Sequence, residues 1–273
     1  MPFTALFFLV DFMALMLITG ASRGLGRAFA FLHARKKGDL ILVSRSQDQL
    51  EALKNELQEK FGIKAYVLVQ DLSKPDAATE LYLRIKKMDL TPDFVVNNAG
   101  IGCNGALEQL SCAELERLLT LNITSLALLT RLYLSDMRIR GYGRILNVSS
   151  IAALIPGPYM SPYYASKAFV KSFSEALWQE CRKSGVSVTV LLPGPLATDF
   201  VKASRLQKSA VSRLFTANPD KVAKKGYQAM LKRKRQIIAG MGPVLSLLMR
   251  MVPLLPQKIV LFVTAKLQEP QNK

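Results

Sequence analysis

Two side chains four residues apart could move a proton. Tyr163 and Lys167 lie in Ser161-Pro162-Tyr163-Tyr164-Ala165-Ser166-Lys167, and a helix there sets both on one face. A phenol titrates near pH 10, too high for efficient acid-base work at neutrality. A nearby ammonium favours the phenolate and is expected to lower that value. A third hydroxyl, Ser150, stands thirteen residues before Tyr163, just after Ile145-Leu146-Asn147-Val148. Hydrolase and metal chemistry fit poorly. His33 is the only histidine and Cys103, Cys112 and Cys181 are scattered, so a Ser-His-Asp triad, a zinc site and a disulfide framework all lack parts. No metal is expected. The cysteine usage reads as a reducing compartment, and His33 as a surface or packing residue.

These groups need a scaffold, and the chain alternates apolar runs with amphipathic stretches. Strands are predicted at 15–18, 40–43, 65–69, 94–97, 144–148, 187–191 and 236–239, with helices at about 24–37, 47–61, 75–88, 112–140, 161–184 and 218–232. The alternation predicts an α/β fold: a doubly wound, seven-stranded parallel sheet with helices on both faces. The first strand runs into Thr19-Gly20-Ala21-Ser22-Arg23-Gly24-Leu25-Gly26 and then a helix. Such a turn lets backbone N–H groups approach a pyrophosphate, with the helix N-terminus favouring the anion. Gly20 permits the tight turn, Gly24 the close approach and Gly26 the helix-strand packing. The second strand leads into Ser44 and Arg45, where an NAD site usually places an acid for the ribose hydroxyls. A hydroxyl and a guanidinium suit a 2′-phosphate instead, and Arg23 could approach the same group. NADP(H) is favoured over NAD, with a solvated loop residue as the alternative for Arg45.

The glycine turn, Asn97-Asn98-Ala99-Gly100, the Ser150–Tyr163–Lys167 spacing and Pro193-Gly194-Pro195-Leu196-Ala197-Thr198 together resemble the short-chain dehydrogenase/reductase family. The resemblance covers about residues 14–240 and is consistent with a Rossmann-type fold. It implies that Tyr163 donates or accepts the substrate proton and that Ser150 polarises the carbonyl. It implies that Lys167 holds the nicotinamide ribose and lowers the Tyr163 pKa. Asn122 would support a proton-relay water, with a buried amide bracing its helix as the alternative. Asp71 and Leu72 would lie beside the adenine, Asn98, Ala99 and Gly100 would line the cofactor, and Pro193, Gly194 and Thr198 would embrace the nicotinamide end. Ser149 also carries a hydroxyl, but the spacing to Tyr163 favours Ser150. Tyr164 has Ala168 four residues on rather than a lysine.

The chain is similar to the hydroxysteroid-dehydrogenase and oxoacyl-reductase branches. An NADP(H)-dependent oxidoreductase acting on a lipophilic carbonyl or secondary alcohol is expected, in keeping with the apolar segments after Ser150 and after Thr198, the second of which commonly forms a mobile lid in this family. The alternatives are a fatty-acid-type 3-oxoacyl reductase and a non-catalytic NADPH-sensing interaction protein. The resemblance also implies a homodimer or homotetramer.

The 273 residues carry 37 Lys and Arg against 20 Asp and Glu, a formal charge of +17. Residues 201–273 hold 15 of the basic side chains and 2 of the acidic, so the excess is local to the C-terminal quarter and no nucleic-acid partner is expected. Residues 1–12 read as an apolar arm or upstream start, too short to span a bilayer, and residues 13–240 as the catalytic domain. Residues 241–273 read as an amphipathic basic and apolar tail of two short helices broken at prolines. That tail, with Lys221, Lys224, Lys225 and Lys232-Arg233-Lys234-Arg235, could meet an anionic membrane surface, cover the substrate mouth or form a subunit interface. The basic residues could equally be a solvated face. The expected location is cytoplasmic, with peripheral attachment to a membrane as an extension of that reading.

Overall fold

A computed structural model describes residues 14–196 and 216–269. The N-terminal arm, Thr198 and the expected lid after it lie outside the described residues. Seven short apolar runs pair as parallel strands: β1 (Met16–Thr19), β2 (Leu40–Ser44), β3 (Ala65–Val69), β4 (Phe94–Asn97), β5 (Gly143–Val148), β6 (Val186–Pro193) and β7 (Gln236–Ala239). Their order across the sheet is β3-β2-β1-β4-β5-β6-β7. Parallel strands need crossovers, and these are the helices α1 (Gly24–Ala34), α2 (Gln47–Phe61), α3 (Ala77–Lys87), α4 (Cys112–Leu119) continuing into α5 (Ser125–Arg140), α6 (Ser161–Glu180) and α7 (Pro219–Leu231). Two further helices, α8 (Pro243–Met251) and α9 (Gln257–Gln268), follow β7 as the prolines led one to expect. Most boundaries fall within a few residues of the expected ones. The first helix stops at Ala34 because the chain turns through Lys37 at φ 63°.

Strand residues alternate between two cores, as a period of two requires. Met16, Ile18, Leu40 and Leu42 face α1, α2 and α7, meeting Phe29, Leu50 and Tyr227. Leu17, Ile41, Val43 and Val95 face α3 and α5, meeting Leu81, Tyr133 and Met137. The span Cys112–Arg140 is long and apolar enough to cross a membrane by composition, yet its Leu118, Leu126, Leu129 and Tyr133 are buried in the fold. A wide turn at Thr120–Thr124 interrupts it. Strand β1 pairs with both β2 and β4, so chain progression reverses there and leaves a crevice at the strands' C-terminal ends. Open α/β sheets bind ligands at such a point.

Candidate active site

The glycine turn sits in that crevice. Gly20 (φ 66°) and Gly24 (φ 56°) occupy the left-handed region. Helix α1 starts at Gly24 with no side-chain cap and no acid in its first turn, so its N–H groups and positive end suit an anion. A Cβ on Gly26 would lie 2.1 Å from the Gly20 carbonyl oxygen, so helix and turn pack backbone on backbone. Asn98 Nδ2 donates to the Thr19 carbonyl at 3.0 Å and the Gly20 carbonyl at 3.2 Å. The Thr19 hydroxyl accepts from the Asn98 and Ala99 amides at 3.0 and 3.1 Å. Thr19, Asn98 and the buried Leu25 and Gly26 therefore shape the turn from behind.

In front of the turn lies a cavity of about 610 Å³, within the size range of cofactor sites. Gly20, Ser22, Arg23, Ser44, Arg45, Asp71, Leu72, Ala99 and Gly100 line it. Partial burial works against ionisation of Asp71, but two hydrogen bonds from Ser73 and the Arg45 and Arg117 guanidiniums hold its carboxyl below the usual range. The donor set fits NADP(H). The uncapped start of α1 suits a pyrophosphate, and Ser44 and Arg45 line the cavity at the end of β2, a place that suits a 2′-phosphate. Arg117, Gln49 and Gln70 also line the cavity and were not foreseen. They carry no motif and reach the site only through tertiary packing.

Gly100 joins this cavity to the acid-base group. A Cβ there would lie 3.2 Å from Asn122 Oδ1 and 3.3 Å from Lys167 Nζ. Tyr163 and Lys167 share the inner face of α6, both buried, with the ammonium nitrogen 5.8 Å from the phenol ring centre. Lys167 Nζ donates to the Val148 carbonyl at 3.2 Å, and burial lowers its pKa to about 8. The Ser150 side chain hydrogen-bonds Tyr163. Ser149 instead donates to the Lys167 carbonyl at 2.7 Å, so the strand end presents one serine to the site and uses the other to hold α6.

One expectation needs correction. Burial pushes the Tyr163 phenol up to about 12, against the Ser150 hydrogen bond, which favours ionisation. The burial cost outweighs the nearby Lys167 ammonium, so the phenol stays above the neutral range. Near pH 7 the pair is a neutral phenol beside a cation, which is the proton-donating form.

Asn122 lies in the wide turn between α4 and α5, fully buried. Its Nδ2 donates to the Ile101 carbonyl at 2.9 Å and to Ser166 Oγ at 3.0 Å, and its Oδ1 accepts from the Ile101 amide at 2.9 Å. The side chain thus braces the Gly100 loop against α6. A second buried network, absent from the expectations, ties β4 to β5 and β5 to α6: Asn97 Nδ2 to Asn147 Oδ1 at 2.9 Å, and Asn147 Nδ2 to Ser174 Oγ at 2.9 Å. Pro193 and Gly194 leave β6 beside β7, where the Gly194 amide donates to the Ala239 carbonyl at 2.8 Å. Around Tyr163 the wall is apolar: Ile101, Cys103, Leu118, Ala152, Met160 and Tyr164.

The family model for short chain dehydrogenases matches residues 14–209. The mouse very-long-chain 3-oxoacyl-CoA reductase is 31% identical over 200 residues, covering 72% of this chain and 62% of that protein. The human 17-beta-hydroxysteroid dehydrogenase type 3 is 35% identical over 187 residues, covering 68% of this chain and 60% of that protein. The match thus spans about three fifths of the length of these curated relatives. Among solved structures, a short-chain dehydrogenase from Sphingobium yanoikuyae in complex with NADPH superposes with a TM-score of 0.80 at 28% identity, covering 96% of this chain and 99% of that one.

Proposed function

The chain belongs to the short-chain dehydrogenase/reductase family, and from that premise we propose that it exchanges hydride between NADP(H) and the carbonyl or secondary-alcohol carbon of a lipophilic substrate. The observation that carries this reading is the Ser150–Tyr163 hydrogen bond beside the Lys167 ammonium, enclosed by an apolar wall. When bound, the reduced nicotinamide supplies the hydride. The Ser150 hydroxyl donates to the substrate carbonyl oxygen and orients it. As negative charge grows on that oxygen, the Tyr163 hydroxyl gives up its proton to it, and the alcohol forms. The phenolate left behind is held by Lys167, whose cation lies close enough to offset part of the burial cost. Oxidation runs the same proton path in reverse. Gly20, Ser22, Arg23 and the α1 N-terminus would hold the pyrophosphate, Ser44 and Arg45 the 2′-phosphate, and Asp71 with Leu72 the adenine side.

The apolar wall and the names of two relatives support a steroid ketone or a long-chain ketone as substrate. A homodimer or homotetramer, a cytoplasmic location and a peripheral membrane contact belong to the same reading. Residues 13–240 would form the catalytic domain and residues 241–273 its tail. The test is a panel of steroid, long-chain and small polar carbonyl compounds, followed by loss of NADPH absorbance with NADH in parallel. NADPH-linked turnover of the lipophilic members, abolished in Tyr163→Phe, is expected. Turnover confined to small polar sugars, or unchanged in Tyr163→Phe, refutes the reading.

A further inference from the structure

The tail is built inside out. In α8 the apolar residues Val244, Leu247, Leu248 and Met251 recur at the spacing that usually marks a core-facing stripe. Here they are 71, 62, 56 and 50% exposed, and no residue of α8 is buried. The connecting turn adds Leu254 and Leu255, also exposed. Helix α9 turns Val260 and Thr264 inward and Ile259, Phe262 and Val263 outward. On its outward face Lys258, Phe262 and Lys266 follow at four-residue intervals, with Lys266 Nζ 4.6 Å from the Phe262 ring centre. Exposed apolar residues concentrated in one segment mark a binding site.

Charge and position say what occupies it. Residues 243–269 hold Arg250, Lys258 and Lys266 against Glu269, on a chain of formal charge +17. An anionic bilayer surface satisfies both the apolar stripe and the cations beside it. The Lys232-Arg233-Lys234-Arg235 cluster takes no part: it precedes β7, at the opposite end of that strand from the tail, where the Arg233 carbonyl accepts from Trp178 and Arg235 pairs with Glu175 at 3.5 Å. The tail also touches the catalytic elements. Helix α8 packs against the Ile151–Leu154 turn that follows Ser150, and Gln268 Nε2 donates to the hydroxyl of Tyr164, the residue after Tyr163.

We propose that α8 and α9 form a docking platform for an anionic lipid surface, set beside the catalytic helix so that lipophilic substrate reaches Tyr163 from the membrane. The substrate half rests on the catalytic reading of the preceding section; the docking half sharpens the membrane contact named there and stands without that chemistry. Full-length protein is sedimented with phosphatidylglycerol-containing and with purely phosphatidylcholine vesicles, at low and high salt. Binding to the anionic vesicles, weakened by salt, is expected, and about tenfold weaker binding in Leu247→Glu/Phe262→Glu. The same variant should raise the KM for a vesicle-dissolved long-chain ketone while leaving turnover of a short soluble ketone unchanged. No vesicle binding by the wild type, or equal binding by the variant, overturns the proposal. So does a variant that converts a dimer to a monomer in sedimentation velocity with vesicle binding unaltered, which would assign the face to a second copy. Vesicle binding without turnover of any carbonyl compound leaves the docking surface standing and counts against the catalytic reading instead.

Discussion

Replacing Lys167 by Met keeps the bulk of a buried side chain and removes the charge beside the phenol. The ammonium nitrogen lies 5.8 Å from the Tyr163 ring centre. At an effective dielectric constant of about 20, two unit charges at that separation interact by roughly 3 kcal/mol. The attraction exists only when Tyr163 is giving up its proton, so it lowers the barrier rather than the ground state. Its loss should reduce kcat for ketone reduction about a hundredfold. The pH profile carries a second signature. Lys167 loses its proton near pH 8, so wild-type kcat for reduction should fall as pH rises through that value, because the cation that stabilises the phenolate disappears. In Lys167→Met that limb should vanish and the residual rate should stay flat until Tyr163 itself titrates. The measurement is steady-state reduction at saturating NADPH between about pH 6 and pH 10, with circular dichroism to verify the fold. A variant within about threefold of wild type, or one that keeps the descending limb near pH 8, refutes the electrostatic role given to Lys167.

Three further outcomes are expected. Arg45→Ala should raise the KM for NADPH roughly ten- to a hundredfold, the loss of one charge-assisted contact, with little change for NADH; equal effects on both cofactors would remove the 2′-phosphate assignment. Gly26→Ala should abolish tight NADPH binding and lower the melting temperature, since its methyl would lie 2.1 Å from the Gly20 oxygen and overpacking costs about 1–3 kcal/mol; normal binding by calorimetry would contradict the packing described. His33 is fully buried between the Tyr227 hydroxyl and the Ala14 carbonyl, and burial lowers its pKa to about 4. The unfolded chain binds that proton near pH 6.5, so stability should fall by about 3 kcal/mol as pH drops from 6.5 to 4. Urea titrations should show a shallower pH dependence in His33→Gln, and an unchanged slope would rule the residue out as its source.

Much of this was legible in the sequence because strands and motifs are local. The short apolar runs between amphipathic stretches marked all seven strands, and the Ser150–Tyr163–Lys167 spacing selected three groups that the fold brings together. What stayed hidden depends on partners distant in the chain. His33 read as a surface or packing residue, and packing proved right only because Tyr227, 194 positions away, meets it. Thr19 and Asn98 read as cofactor contacts within a motif, yet their side chains bind the turn to β4. The Tyr163 pKa was expected to fall because a lysine was near. Burial, invisible in a sequence, outweighed it. The tail prolines announced two helices, but not that α8 turns its apolar stripe outward while the basic cluster sits before β7, at the other end of that strand from the tail.

The packing of α7 on α1 bears on how the chain assembles during synthesis. The His33–Tyr227 bond and the Phe29 and Tyr227 side chains in one core mean that α1 lacks its outer cover until about 190 residues after it have been made. The helix that opens the nucleotide turn is encoded first and covered nearly last. Domains emerge N-terminal end first, and non-local contacts form slowly. A nascent chain halted before α7 would therefore expose the apolar side of α1, and ribosome-bound intermediates of that length are where chaperone dependence should be sought.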